Sequence, residues 1–82
     1  MASYKYIEKR GQVWCFIGRR ASVVETIEGM RAREENYEEV AEYLHLPMDA
    51  IIEADQFIQD NPEECKKYTA YLTTLMKEIY EE

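Results

Sequence analysis

The chemically capable side chains of this 82-residue chain are two cysteines, one histidine, seventeen carboxylates and ten lysines and arginines. Their spacing decides what each could do. His45 and Asp49 stand four residues apart and would share a helix face, but two ligands without a third define no metal site. His45 reads instead as a cation at the end of a predicted helix, where the dipole favours positive charge. The carboxylate pairs Glu34-Glu35 and Glu63-Glu64 read as solvated helix starts, not as a general acid and base. Cys15 sits within the apolar run Val13–Ile17, which suits a buried thiol better than a reactive one. With Cys65 it makes one pair at most, whereas a secreted scaffold of this size carries several, so both are expected to be reduced structural thiols. The chain is therefore expected not to be an enzyme and to need no cofactor or metal.

Two groups of charged residues remain as binding candidates. Lys5, Lys9, Arg10, Arg19 and Arg20, interleaved with Tyr4, Tyr6 and Trp14, could contact phosphates and stack bases. Glu38, Glu39, Glu42, Glu53 and Asp55 offer the opposite, a surface for a basic protein.

The net charge of −7 is unevenly distributed. Residues 1–33 carry +4, residues 34–65 carry −11 with no Lys or Arg, and the remainder balances. The acidic middle repels nucleic acid and attracts basic proteins, while the basic start attracts phosphate or an acidic partner. The same segregation also has a plain reading as two solvated faces.

The length fits one small domain. Only 19 residues are Val, Ile, Leu or Met, a thin supply for a self-sufficient core, and domains of this size bury only about 60% of their unfolded surface. Self-association or a partner would supply more. The longest apolar run has five residues, against about 20 for a membrane span, and the first eight residues are too polar for a signal peptide. A soluble, cytoplasmic protein without membrane contact is expected.

The elements that must position these residues follow from local signals. Tyr4–Lys9 and Val13–Ile17 read as strands joined at Arg10-Gly11-Gln12, a hairpin that Gly18 terminates. Ser22 with Glu25 has the capping-box spacing, and Val23, Val24, Ile27 and Met30 follow at helical intervals, predicting a helix over 23–33. Asn36 with Glu39 starts a short second helix carrying Val40, Ala41 and Leu44. Pro47 suits the first position of a third, with Ile51, Ile52, Ala54, Phe57 and Ile58 as its apolar residues. Asn61-Pro62 breaks that helix and opens the last one, with Asn61 as cap and Glu64 three residues on. In the last helix Cys65, Tyr68, Leu72, Leu75 and Ile79 step by three and four, the seam of two helices packed side by side. Tyr68, Leu72, Leu75 and Ile79 are the expected dimer seam, although packing within one chain fits the spacing equally.

The order of Phe16-Ile17-Gly18-Arg19-Arg20-Ala21-Ser22-Val23, Glu38-Glu39-Val40-Ala41-Glu42-Tyr43, Ile51-Ile52-Glu53-Ala54 and Asn61-Pro62-Glu63-Glu64 resembles the bacterial and archaeal domain-of-unknown-function 433 family over about residues 6–64. Gly18, Arg20 and Val23 match that family's Gly-x-Arg-x-x-Val, while Arg19 stands where Thr is usual and Val13-Trp14 replaces its Gly-Lys-Pro-Val. The resemblance implies a hairpin followed by a helix-turn-helix domain, an antitoxin that partners a PIN-like ribonuclease toxin. It carries no catalytic residues over.

The expected fold is thus mainly α within the α+β class, one domain with a hairpin arm over 1–21, a helix-turn-helix-like core over 22–60 and a C-terminal helix over 61–82. Its third helix would be the recognition helix of a DNA binder. That helix carries Asp49, Glu53, Asp55 and Asp60 where contact with phosphates and base edges needs Lys or Arg. The leading expectation is a protein-interaction module that occludes a toxin ribonuclease through Glu38, Glu39, Glu42, Glu53 and Asp55 and forms a homodimer. The alternative is an autorepressor that binds DNA through Lys5, Lys9, Arg10, Arg19 and Arg20.

Overall fold

The computed structural model of the chain describes residues 4–80. The outer ends of the expected hairpin arm and C-terminal helix, residues 1–3 and 81–82, lie outside the described residues. Strand β1 (Ile7–Arg10) and strand β2 (Val13–Phe16) pair antiparallel, with Ile7 opposite Phe16 and Arg10 opposite Val13. Gly11, at the first of the two turn positions, has φ of 60°, where a type II′ hairpin places glycine. Both strands are shorter than expected: β1 starts at Ile7 because Tyr4–Tyr6 is fastened to the third helix, though β1 takes in Arg10, and β2 ends at Phe16 because the chain reverses at Ile17-Gly18. On that helix Glu53 Oε1 and Oε2 accept the backbone N–H groups of Tyr6 (2.8 Å) and Lys5 (3.2 Å).

After β2 the chain reverses through Ile17-Gly18, with the Arg19 amide bonded to the Phe16 carbonyl and Gly18 at φ of 77°. This is the glycine position of a type II turn. Four helices follow: α1 (Val23–Ala32), α2 (Tyr37–Leu44), α3 (Met48–Asp60) and α4 (Glu63–Tyr80). The α+β architecture is the expected one, a hairpin followed by four helices, with α2 and α3 packed together across the turn His45-Leu46-Pro47.

The helix starts follow the capping signals in part. At α2 the capping box is complete: Asn36 Oδ1 accepts from the Glu39 amide (2.8 Å) and Glu39 Oε1 accepts from the Asn36 amide (3.2 Å). At α1, Ser22 Oγ accepts from the Glu25 amide, while the Glu25 carboxylate turns away to accept from the Tyr68 hydroxyl at 2.8 Å. Pro47 stands one position earlier than expected, as the residue preceding α3, in extended conformation. Asn61 differs too. Its side-chain amide donates to the Phe57 carbonyl at 2.9 Å, closing the end of α3 instead of capping α4.

Both α1 and α2 end in the paired bonds of a Schellman motif. Glu35 and Glu34 donate to the carbonyls of Met30 and Arg31, across Glu34 at φ of 54°. Leu46 and His45 donate to those of Ala41 and Glu42, across His45 at φ of 57°. Glycine normally takes this left-handed position, and neither chain segment has one.

The core sits where the inner face of the hairpin meets α1 and α3. Phe16, Val23, Ile27 and Ile51 are its largest fully buried side chains, surrounded by Ile7, Val24, Met30, Val40, Phe57 and Ile58. Each such side chain contributes roughly 1.5–3 kcal/mol relative to an exposed one. Trp14 lies on the core edge between Tyr4 and Phe57, with ring centroids 5.7 and 4.6 Å away. Helix α4 is different: none of its residues from Glu63 to Ile79 is fully buried. Only its start, through Cys65 and Tyr68, packs against the core. No helix among the described residues is long and apolar enough to cross a membrane.

Candidate protein-interaction surface

Helix α2 has eight residues, and its period divides them cleanly. Tyr37, Val40, Ala41 and Leu44 turn inward, whereas Glu38, Glu39, Glu42 and Tyr43 are all exposed on the opposite side. No lysine or arginine lies within the helix. Glu38 and Glu42 are one turn apart, a like-charge spacing that destabilises a helix by roughly 0.2–0.5 kcal/mol. Glu42 also lies near the negative end of the helix dipole. Tyr43 beside it is 83% exposed, the most exposed of the large apolar side chains described. The three carboxylates share one side of α2, and Tyr43 lies at its edge, one turn after Glu39, where it also lines a groove with Arg33. Aromatic side chains are enriched at protein interfaces and dominate their energetics.

This face is tied to the rest of the fold at both ends. At the start of α2, the Tyr37 hydroxyl donates to Asp55 Oδ2 at 2.5 Å, and Arg31 Nη2 donates to Asp55 Oδ1 at 2.5 Å. The three residues tie α2, α3 and α1 together. Burial opposes ionisation of Asp55, yet the hydrogen bonds from Tyr37, Gln59 and Arg31 outweigh it and hold the carboxyl below its ordinary range. The hydrogen bond to Asp55, followed by burial, pushes the Tyr37 hydroxyl up. At the other end, Arg19 donates through Nε to the Leu44 carbonyl (3.1 Å) and through Nη2 to the His45 carbonyl (3.0 Å). A guanidinium there satisfies carbonyls left unpaired by the helix and meets the negative pole of its dipole.

Of the five acidic residues expected at a partner surface, the structure brings Glu38, Glu39 and Glu42 together and removes the other two. Asp55 is 6% exposed and enclosed by its two donors, so it cannot present charge to a partner. Its place one turn after Ile51 puts it on the inner side of α3. Glu53 is half-buried and fastens the chain entering β1. Of the five, the fully exposed carboxylates are therefore the three on α2.

The basic candidates also divide. Arg10 donates to the Arg19 and Phe16 carbonyls (2.7 and 3.1 Å) and pairs with Glu8, which secures the turn after β2. Arg19 caps α2. Lys5 lies 5.3 Å from the centre of the Tyr6 ring. Lys9 and Arg20 are exposed on the surface. Arg20 lines an open groove with Arg33, Tyr43 and Tyr68, and that groove also holds Glu25, so it does not present an unbroken positive wall.

Among the described residues, no group of three His, Cys, Asp or Glu is placed to hold a metal ion. Both cysteines are free; Cys15 is buried and Cys65 half-buried. Burial and then the neighbouring Glu28 push the Cys65 thiol up, away from the reactive thiolate. Along the expected dimer seam, Tyr68 packs against the core and bonds Glu25, Leu75 is half-buried, and Leu72 and Ile79 are exposed.

Tyr43 was not among the sequence candidates. Its signal was its phase: it falls outside the Val40-Ala41-Leu44 stripe, and α2 has no other exposed aromatic residue. No protein-family model matches this chain, and no curated protein or solved structure matches it either.

Proposed function

We propose that the protein is a non-enzymatic, cytoplasmic protein-interaction module of the antitoxin kind, which binds a basic protein surface through the outward face of α2. The observation that carries this reading is the exposure of Glu38, Glu39 and Glu42 together on one side of α2, with exposed Tyr43 at the edge of that side, on a helix without a cation. A ribonuclease surface attracts RNA and is basic, so an acidic face with an aromatic side chain at its edge complements it in charge. The motif order resembling the domain-of-unknown-function 433 family supports a PIN-like ribonuclease as the partner. Binding would block the nuclease by covering it, with no chemistry on this chain.

The experiment is affinity purification of the tagged chain from nuclease-treated host extract, beside a Tyr43→Ala variant and a Glu38→Gln/Glu39→Gln/Glu42→Gln variant. The reading expects a stoichiometric ribonuclease with the parent chain that is lost from both variants and released by raised salt. Equal recovery with all three chains would overturn it.

The second reading, an autorepressor using the basic amino-terminal region, rests on Lys9 and Arg20, which are exposed while Arg10 and Arg19 hold backbone carbonyls. It expects binding of the isolated chain to its own upstream DNA that weakens steeply with salt and is lost in Lys9→Ala/Arg20→Ala.

A further inference from the structure

We propose that the groove between the Tyr4–Tyr6 segment and α3 is a docking site for an extended, lysine- or arginine-bearing segment of another protein. The inference does not rest on the function assigned to α2, whose carboxylates take no part in it.

The groove is open to solvent and has a volume of about 490 Å³, within the range of sites that hold a ligand. Tyr4 and Tyr6 line it from one side, and Ile52 and Phe57 of α3 from the other. Phe57 is 3% exposed and the Tyr4 ring packs edge-on against it at 5.2 Å, so the bottom of the groove belongs to the core. Ile52 is 40% exposed and extends that apolar surface to the solvent. Glu53 fastens the two sides to each other through the backbone N–H groups of Lys5 and Tyr6, so the groove exists before any ligand arrives.

Carboxylates stand along its α3 side. Asp49, Glu53 and Asp60 all line it, and their spacing of four and seven residues puts them on one helix face over about 16 Å. Asp49 and Asp60 are exposed, and Gln56 Nε2 steadies Asp60 by donating to Oδ1 at 3.0 Å. Among the described residues that line the groove none is Lys or Arg, and α3 contains neither. One cation stands beside it, Lys5. Three carboxylates against one ammonium leave the groove negative.

The arrangement of these groups selects the occupant. The carboxylates are strung out along the helix, and among the described residues no three acids are placed to hold a metal ion, so the ligand carries its positive charge at separate points. Between those points the surface is aromatic and aliphatic, which suits the hydrocarbon stems of lysine and arginine and apolar residues between them. Lys5 shows the mode of contact: its Nζ lies 5.3 Å from the centre of the Tyr6 ring, a cation over an aromatic face at the wall of the groove. An incoming cationic side chain makes the same contact and displaces it. A strand rises about 3.3 Å per residue, so about five extended residues run the length of the row. Exposed ion pairs and cation–π contacts each contribute little, which gives a reversible complex with a dissociation constant on the order of 100 μM.

The test is a titration of the isotope-labelled full chain, at low salt, with a blocked pentapeptide of alternating arginine and leucine, followed by amide NMR shifts. The expected result is saturable shifts confined to residues 4–7 and 49–60, and none with the analogue that carries glutamate for arginine. Asp49→Asn/Asp60→Asn should weaken binding about fivefold, because two exposed ion pairs are lost. Glu38→Gln/Glu39→Gln/Glu42→Gln should bind as the parent chain does, which separates this groove from α2. Lys5→Ala should bind about twofold tighter, since it removes the internal competitor and its charge. Asp49 and Asp60 lie outside the core, so Trp14 fluorescence should match the parent chain and confirm folding of that variant. Shifts centred on α2, or equal affinity in Asp49→Asn/Asp60→Asn, would overturn the proposal. So would spermidine binding as tightly as the peptide of equal charge, which would make the groove a site for small polyamines.

Discussion

The Tyr37 hydroxyl donates to the Asp55 carboxylate at 2.5 Å, joining the first turn of α2 to the middle of α3. With Arg31 on the opposite carboxylate oxygen, this bond makes a buried acid part of the scaffold. Losing a hydrogen bond to a charged group costs about 1.5–3 kcal/mol. Tyr37→Phe should therefore lower stability by about 1–2 kcal/mol, and Asp55→Ala by about 3 kcal/mol, since it strips both donors of their acceptor. Urea unfolding followed by Trp14 fluorescence measures both. A cost below about 0.5 kcal/mol for Asp55→Ala would show that the three residues are not coupled in solution.

The same group sets an acid limit. Asp55 has its folded-state pKa below the ordinary 3.8, so its contribution is fully present above that value. It is lost as pH falls through 3.8 toward the lower folded-state value. Tyr37 and Tyr68 shift the other way, above 10.0, so their contributions hold below pH 10 and disappear as pH rises past it. Thermal unfolding at pH 7 and pH 3 should separate the parent chain from Asp55→Asn by less at pH 3 than at pH 7. An unchanged difference would contradict the assignment.

Glu34 and His45 occupy left-handed positions that cost a side chain about 1–2 kcal/mol and glycine very little. Glu34→Gly and His45→Gly should each stabilise the fold by about 0.5–1 kcal/mol, once the greater freedom of glycine in the unfolded chain is subtracted. The Arg19 bond to the carbonyl of residue 45 survives the second substitution, because it uses the backbone. Melting temperatures should rise by a few degrees for each, and a fall would mean that the side chains do more than end the helices.

Stability and binding should part company at Glu42. Glu42→Lys places a cation one turn after Glu38 and near the negative pole of α2, which favours the helix by about 0.5 kcal/mol. The same change puts a positive charge beside Tyr43 on the face assigned to a basic partner. It should raise the melting temperature and weaken the partner complex at least tenfold. A variant that is both more stable and equally tight would move the partner site off α2.

Much of the architecture was legible in the residue order, because the signals involved are local. Asn36 and Glu39 satisfy each other's backbone within one turn, Gly11 and Gly18 relieve positive φ where the chain reverses, and Val23, Val24, Ile27 and Met30 share a face by period alone. The signals misread were those with two local uses. Asn61 can accept from the helix after it or donate to the helix before it, and the tertiary path chose the second. Pro47 likewise fits either side of a helix start. Only tertiary structure decided which charges stayed on the surface. Asp55 and Glu42 are both carboxylates in an acidic segment, but α3 turns one toward Arg31 and Tyr37, which lie 24 and 18 residues away in sequence, and α2 turns the other to solvent. Arg19 finds its partners 25 and 26 residues on, at the end of α2. Tyr37 and Tyr43 differ in the same way, one tied to a buried acid and one left open. Sequence alone determined the elements and their order, since hydrogen bonds and sterics within a few residues specify those. The division of like residues between scaffold and surface came from contacts between distant segments, which exist only once the helices pack.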